Sequence, residues 1–399
     1  MHKTDTLNEK NIALENQLVN DLDTNLNSNP NTNNNEIALT QTEIEDNAVS
    51  LSVDTLTLPK PQNRFFRALA KLVALKNYIY KRPWLVLVIM GGILLALMSL
   101  FMFVNVGISF TRTMWDRFPM LIAMLLIAIA VGYSTVAFQT VTGARILTPG
   151  VLGFENVYMF LQTILLVIGT ALPALVEIPF FREINFAFSL VIMVVFSLFV
   201  FMPLFTKGSK GIYVLLLVGI ILSTLFAALT SFMQFFMDPD IFATAQGIMF
   251  ASFVAPDFLL MIVGGVIMVG SFFIAPPLRS LDVISLGRDN AISLGINHKV
   301  VALRILVVVA ILVSVSTVIV GPVMFLGLIS ANLAYQFIKT YKHKFTMPAA
   351  VLISAIALVA AEFIIRELIP FEINVAIFIN FFGGIYFIFL LLRERKKDK

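Results

Sequence analysis

The chain has 399 residues, of which 59% are hydrophobic and only 13% charged, against about 25% charged for a typical soluble domain. With a mean hydropathy of +0.91, this is the composition of a polytopic membrane protein. There is no cysteine, and the three histidines, His2, His298 and His343, all lie outside the apolar runs, so disulfide scaffolds, thiol chemistry and zinc sites are excluded or poor readings.

In chain order, residues 1–60 are polar and Asn-rich, with the run NSNPNTNNN at Asn27 to Asn35. Such a segment buries too little apolar surface to offset its ordering entropy and reads as a disordered tail. Residues 61–83 place Arg64, Arg67, Lys71, Lys76, Lys81 and Arg82 among apolar residues at helical spacing. That pattern predicts an amphipathic juxtamembrane segment on the membrane surface. The remainder, 84–399, is mostly hydrocarbon. A crossing takes about 20 apolar residues, which predicts ten helices: Trp84–Val104, Phe118–Gln139, Val157–Leu175, Phe186–Phe205, Ile212–Phe236, Phe258–Ala275, Val301–Val320, Val323–Phe337, Pro348–Ile365 and Val375–Leu392. The eighth is short, rich in Gly, and carries Asn332 and Gln336.

An even number of crossings puts both termini on one side. Under this assignment Arg112, Arg117, Arg182 and Arg366 fall on one face and every other Lys and Arg on the opposite face. The positive-inside rule makes the Lys/Arg-rich face, with both termini, cytoplasmic. A wrong count of crossings scatters the charges, so the asymmetry supports the count.

An ATPase needs a phosphate loop of the form GxxxxGK[ST], and TKGSKGIY at Thr206 lacks that spacing. An ion-coupled transporter usually carries ionisable residues in its crossings. The candidates are Glu155, near the start of one crossing, and Glu362, inside the ninth. For Glu362 the competing reading is a structural contact with Arg366 at i+4; for Glu155 it is a group at the cytoplasmic mouth in reach of water. Asn332, Gln336, Gln139 and Gln162 are expected to bridge helices.

The polar stretch SLDVISLGRDNAISLGINHK, Ser280 to Lys299, repeats ISLG. Asp282 to Gly287 and Asp289 to Gly295 each read as a capped start, one helical turn and a glycine stop. Two such turns are expected to present Ile284, Leu286, Ala291, Ile292 and Leu294 from the cytoplasmic face, and exposed apolar residues there call for a partner.

These residues resemble the coupling segment of the permeases of iron-chelate ABC importers, the family that also takes haem and cobalamin. GPVMFLGLISANLAYQF at Gly321, RILTPGVLGFENVYMFLQT at Arg145, and FEINVAIFINFFGGIYFIFLLLR with Glu372 and Gly383 resemble three further blocks, in the family's order. Phe154, Glu155 and Asn156 stand where many members have small residues and Ser, and Ala331 and Asn332 where many have Pro-His. Both variants are similar to the second permease of catecholate-type ferric-siderophore importers.

The resemblance implies an all-α permease subunit with a pair of short cytoplasmic coupling helices, in the bacterial inner membrane, with no ATP site or cofactor of its own. It implies as partners an ABC ATPase dimer holding ATP and magnesium, a second permease subunit (or a second copy of the chain), and a periplasmic siderophore-binding protein. Ferric siderophore is the cargo, and nucleic acid is not an expected partner. Asp282, Ile284, Leu286, Gly287, Asp289, Ala291, Leu294 and Gly295 would dock the ATPase. Arg112, Arg117 and Arg366 would receive the binding protein, although Met120 stands where the family's motif has a second Arg. The open alternatives are a haem or cobalamin permease and an ion-coupled transporter using Glu362 and Glu155.

Overall fold

Leu, Ile, Val and Phe fill the predicted crossings, and in hydrocarbon a backbone has to satisfy its own hydrogen bonds, which long helices do. The structure, a computed structural model, describes residues 82–105, 110–145, 147–172, 180–206, 211–248, 250, 252–253, 257–369 and 374–395. The tail 1–60, nearly all of the basic segment 61–83, and Glu372 lie outside the described residues. Thirteen α-helices follow: α1 (Pro83–Phe103), α2 (Phe110–Thr142), α3 (Phe154–Ala171), α4 (Phe181–Thr206), α5 (Gly211–Phe235), α6 (Pro239–Ile248), α7 (Phe258–Ile274), α8 (Leu278–Ile284), α9 (Arg288–Ser293), α10 (His298–Val320), α11 (Leu326–Phe337), α12 (His343–Leu368) and α13 (Val375–Arg395). A short 3-10 turn, Pro149–Leu152, precedes α3.

Every predicted crossing overlaps a helix, but not all ten are long and apolar enough to cross: the tenth, Val375–Leu392, holds a shorter apolar run, Val375–Phe389. Seven helices (α1 to α5, α10 and α12) are long and apolar enough to cross a membrane singly, and α7 with α8 makes a pair bent by 64°. The expected eighth crossing is helical over only part of its length: α11 has 12 residues and rises about 18 Å, against about 30 Å of hydrocarbon. The chain enters it through the non-helical Gly321–Val323, because Pro322 and the Gly321 backbone (φ 105) break the helix ahead of it. Helix α2 begins eight residues earlier than Phe118 and has 33 residues.

The core is built on α2, α12 and α10. Helix α2 buries Ala123, Ala128 and Ala130 and packs against α12, which buries Ala349, Ala350, Ser354, Ala355 and Ala361. Small residues let two backbones approach closely where lipid supplies no hydrophobic drive for helices to associate. Outward faces stay apolar: Ile93, Phe188, Val195, Val266 and Phe273 are all exposed, as lipid-facing residues should be.

Two core clusters mark opposite ends of this bundle. One surrounds Phe101, Met120, Leu121 and Ile365. The other surrounds Met347, Ala349, Ile305 and Leu306 and takes in Leu281 and Ile284 of α8, so the first short helix is seated in the bundle.

Candidate functional site

After the bend at Ala275, helix α8 starts at Leu278 behind Pro277, with no side-chain cap. Asp282 is therefore inside the helix and does not start it, which corrects the sequence expectation. Gly287 does stop it, with φ +96, and Gly295 (φ +80) stops α9. At that second stop Ile296 N–H donates to the Ala291 carbonyl at 3.0 Å and Gly295 N–H to Ile292 at 2.9 Å. This is a Schellman ending, which needs the left-handed glycine. Asp289 lies in the first turn of α9, whose N-cap is Gly287, so it favours the helix N-terminus by charge without capping it.

The apolar residues of the two turns divide into two sets. Leu286, Ile292 and Leu294 are 56%, 52% and 62% exposed, whereas Ile284 and Ala291 are buried. The expectation that all five are presented outward is thus corrected. Helix α8 needs one face to sit on the bundle, and Ile284 with Leu281 supplies it.

Asp282 has a use that the sequence pattern did not suggest. Its Oδ1 accepts the backbone N–H of His343 at 2.7 Å and lies 2.7 Å from Nδ1 of the same residue. His343 opens α12, so Asp282 satisfies one of the free N–H groups of that helix from a distant segment. The other ring nitrogen, Nε2, lies 2.8 Å from Thr140 Oγ1 on α2. His343, 5% exposed, thereby joins the short helix α8 to the two central helices. Its position outside the apolar runs is the only signal the sequence offered.

The three arginines expected to face a binding protein part company. Arg112 is exposed. Arg117 is buried at 4% exposure. Its guanidinium donates to the carbonyls of Phe101 and Val104, the latter at 2.8 Å, and pairs with Glu367 at 3.1 Å. It caps the C-terminal end of α1, where carbonyls lack partners and positive charge is favoured, so it is not a docking residue. The neighbouring Asp116 is exposed; the pairing with Glu367, 250 positions away, could not be read from the sequence. Arg366 pairs with Glu362 at 3.5 Å, the i+4 contact expected.

The remaining polar groups mostly bridge elements, as expected. Gln139 Nε2 donates to the Arg145 carbonyl at 2.6 Å, and Asn332 Nδ2 reaches the same carbonyl at 3.5 Å. Gln162 donates to Ser189 at 3.2 Å and Gln336 to Tyr386 at 3.0 Å. Glu155, expected at a mouth in reach of water, instead lines a small cavity with Ser134, Thr148, Ser316 and Gly321. The turn that leads to it is set by Gly153, whose φ is +92 and where a Cβ would lie 2.8 Å from that of Ser223, in the middle of α5.

Among the described residues this arrangement gathers no group of three or more His, Asp or Glu that could hold a metal ion. It offers a bundle, a pair of short helices with three exposed apolar side chains, and a hydrogen-bonded tie between the two. Comparison with known proteins agrees. The chain is 41% identical over 308 residues to the petrobactin import system permease protein YclO of Bacillus subtilis, covering 76% of this chain and 96% of that one. It is 34% identical over 290 residues to the petrobactin import system permease protein FatC of Bacillus anthracis, covering 72% and 80%. Over 299 residues it is 26% identical to the ferric enterobactin transport system permease protein FepG of Escherichia coli, covering 71% and 83%. Among solved structures, one described as an inward-facing conformation of a putative metal-chelate type ABC transporter shares the fold, with a TM-score of 0.58 at 21% identity, covering 79% of this chain and 99% of that one. Residues 84–393 match the FecCD transport family, and the chain belongs to it.

Proposed function

We propose that the chain is the membrane-spanning permease subunit of an ABC importer that brings a ferric siderophore across the bacterial cytoplasmic membrane. The observation that carries this is the α8–α9 knob: Leu286, Ile292 and Leu294 exposed on the outer side, with Ile284 and Leu281 seated in the bundle. That is the form of a handle, apolar toward a partner and fixed toward the helices it must move. An ATPase dimer would grip it, and Asp282 with His343 would carry the displacement into α12 and α2. ATP drives the change only to the extent that it binds the two arrangements differently.

Both termini, by the charge asymmetry, are cytoplasmic. The two relatives above 30% identity are named for petrobactin import, which makes ferric petrobactin the first cargo to test. The exposed Arg112 and Arg366 are the remaining candidates for meeting a binding protein outside, and a second permease subunit is the expected partner across the transport path.

The test is uptake of radiolabelled iron in cells lacking the chromosomal copy. Restoration of petrobactin-borne iron uptake by the plasmid-borne chain, insensitive to excess cobalamin or haem, is expected. Uptake that cobalamin or haem abolishes, or that continues after the ATPase subunit is deleted, overturns the proposal.

A further inference from the structure

Between α2, the 149–152 turn, the start of α3 and α10 lies a cavity of about 30 Å³, enough for a water-sized occupant. Its polar side chains are all oxygen donors: the carboxylate of Glu155 and the hydroxyls of Ser134, Thr135, Thr148, Ser316 and Thr317. No Lys, Arg, His, Asn or Gln is among the lining residues.

These oxygens are not fully used by the fold. Thr148 is 3% exposed, and its hydroxyl oxygen is buried with no hydrogen-bond partner among the described residues. Ser134 and Ser316 give their hydroxyl hydrogens to the carbonyls of Val131 and Val313, at 3.2 and 2.9 Å, which leaves their oxygens free to accept or coordinate. Among the described residues Glu155 makes neither an ion pair nor a hydrogen bond. Its Oε1 lies 3.0 Å from where a Cβ on Gly150 would stand, so the carboxylate leans into space that only a glycine leaves open.

Glu155 is half-buried, and a carboxylate set in a membrane-spanning bundle without a counter-charge is costly. Carboxylate and hydroxyl oxygens are the ligands that hard metal cations take. One carboxylate balances one positive charge, and the cavity has no second acid to balance a divalent ion. We propose that Glu155, Thr148, Thr135 and Thr317 form a binding site for a single monovalent metal cation of about the size of sodium. The ion would tie the first turn of α3 to α2 and α10, three elements that shift against one another if the bundle rocks. The site does not depend on the cargo or on the ATPase, and its failure is separable from failure of the uptake test.

The experiment is thermal unfolding of the purified, lipid-reconstituted transporter complex in sodium, potassium or choline chloride at fixed pH and ionic strength. A saturable rise of several degrees with sodium chloride, absent with choline chloride, is expected. Glu155→Gln and Thr148→Val should each remove the sodium-dependent part, and Thr148→Ser should keep it. If Glu155→Gln fails to fold, the near-isosteric Thr148→Val decides. Equal unfolding in all three salts overturns the proposal, as does a sodium effect that survives both variants. Stability that follows pH with no cation dependence also overturns it, since the carboxyl then carries a proton in place of a metal ion.

Discussion

Asp282 and His343, 61 positions apart, meet twice within 2.7 Å, through the backbone N–H and through Nδ1 of the histidine. The contact fixes a knob of two short helices to the first residue of α12, and through Thr140 to α2. Hydrogen bonds to a charged group contribute about 1.5–3 kcal/mol; the lower end applies, because the Asp282 side chain is 33% exposed. Asp282→Ala is expected to leave the permease folded and bound to its ATPase while uptake falls several-fold relative to ATP hydrolysis. Paired uptake and hydrolysis measurements on the reconstituted complex check this, and an equal fall in both sinks it.

Arg117 and Glu367 are both nearly enclosed, with side chains 5% and 9% exposed. Removing one partner leaves a buried charge, which costs about 3–5 kcal/mol, while replacing both by apolar residues of similar volume is often close to neutral. Arg117→Met should therefore lower the thermal midpoint sharply, and Arg117→Met with Glu367→Met should recover much of the loss. Recovery will be incomplete, since Arg117 also holds the carbonyls of Phe101 and Val104. A double variant no better than the single one would show that the cap matters more than the pair.

The exposed and buried faces of the knob make opposite predictions. Leu286→Asp with Leu294→Asp alters only residues more than half exposed, so the isolated permease should keep its midpoint and lose the ATPase on co-purification. Ile284→Ala removes a side chain that is 3% exposed, and a cavity of that kind costs about 2–5 kcal/mol; it should lower the midpoint while the ATPase still binds. Co-purification unchanged by the first pair would remove these leucines from the interface.

Gly153→Ala is expected to destabilise on two independent grounds. A backbone at φ +92 strains any side chain, by about 1–3 kcal/mol, and the added Cβ would lie 2.8 Å from that of Ser223. Ser223→Gly leaves the backbone strain, keeps the Ser223 Cα at 2.9 Å from the added Cβ, and removes the hydroxyl that accepts from Asn156 Nδ2 at 2.6 Å, so the double variant should regain little of the lost thermal stability. A large regain would show that the Cβ–Cβ contact alone sets the cost.

Much of the helical order was legible because crossings announce themselves: some 20 apolar residues in a row have few other ways to satisfy a backbone in lipid. The positions of Gly287 and Gly295 were legible for the same local reason, since a helix stop needs only one residue with a left-handed backbone. The eighth crossing was misjudged because hydropathy over Val323–Phe337 does not register that Gly321 and Pro322 delay the helix until Leu326. Asp282 was misassigned because a helix cap and a tertiary hydrogen bond use the same carboxylate, and its partner His343 is remote in the chain. Glu362 with Arg366 was readable because i and i+4 share a helix face.

The amino-acid sequence by itself determined a membrane bundle, two short turns ended by glycine, and a resemblance strong enough to name a transport family. Periodicity, charge sign and backbone preference are local properties, carried by each segment alone. The tertiary structure alone decided that Arg117 is enclosed with Glu367, that Ile284 and Ala291 point inward while Leu286 and Leu294 point out, and that Glu155 faces five hydroxyl-bearing residues. Those facts depend on which helices lie side by side, and that follows from packing small residues of α2 against α12, a choice made by the whole bundle at once.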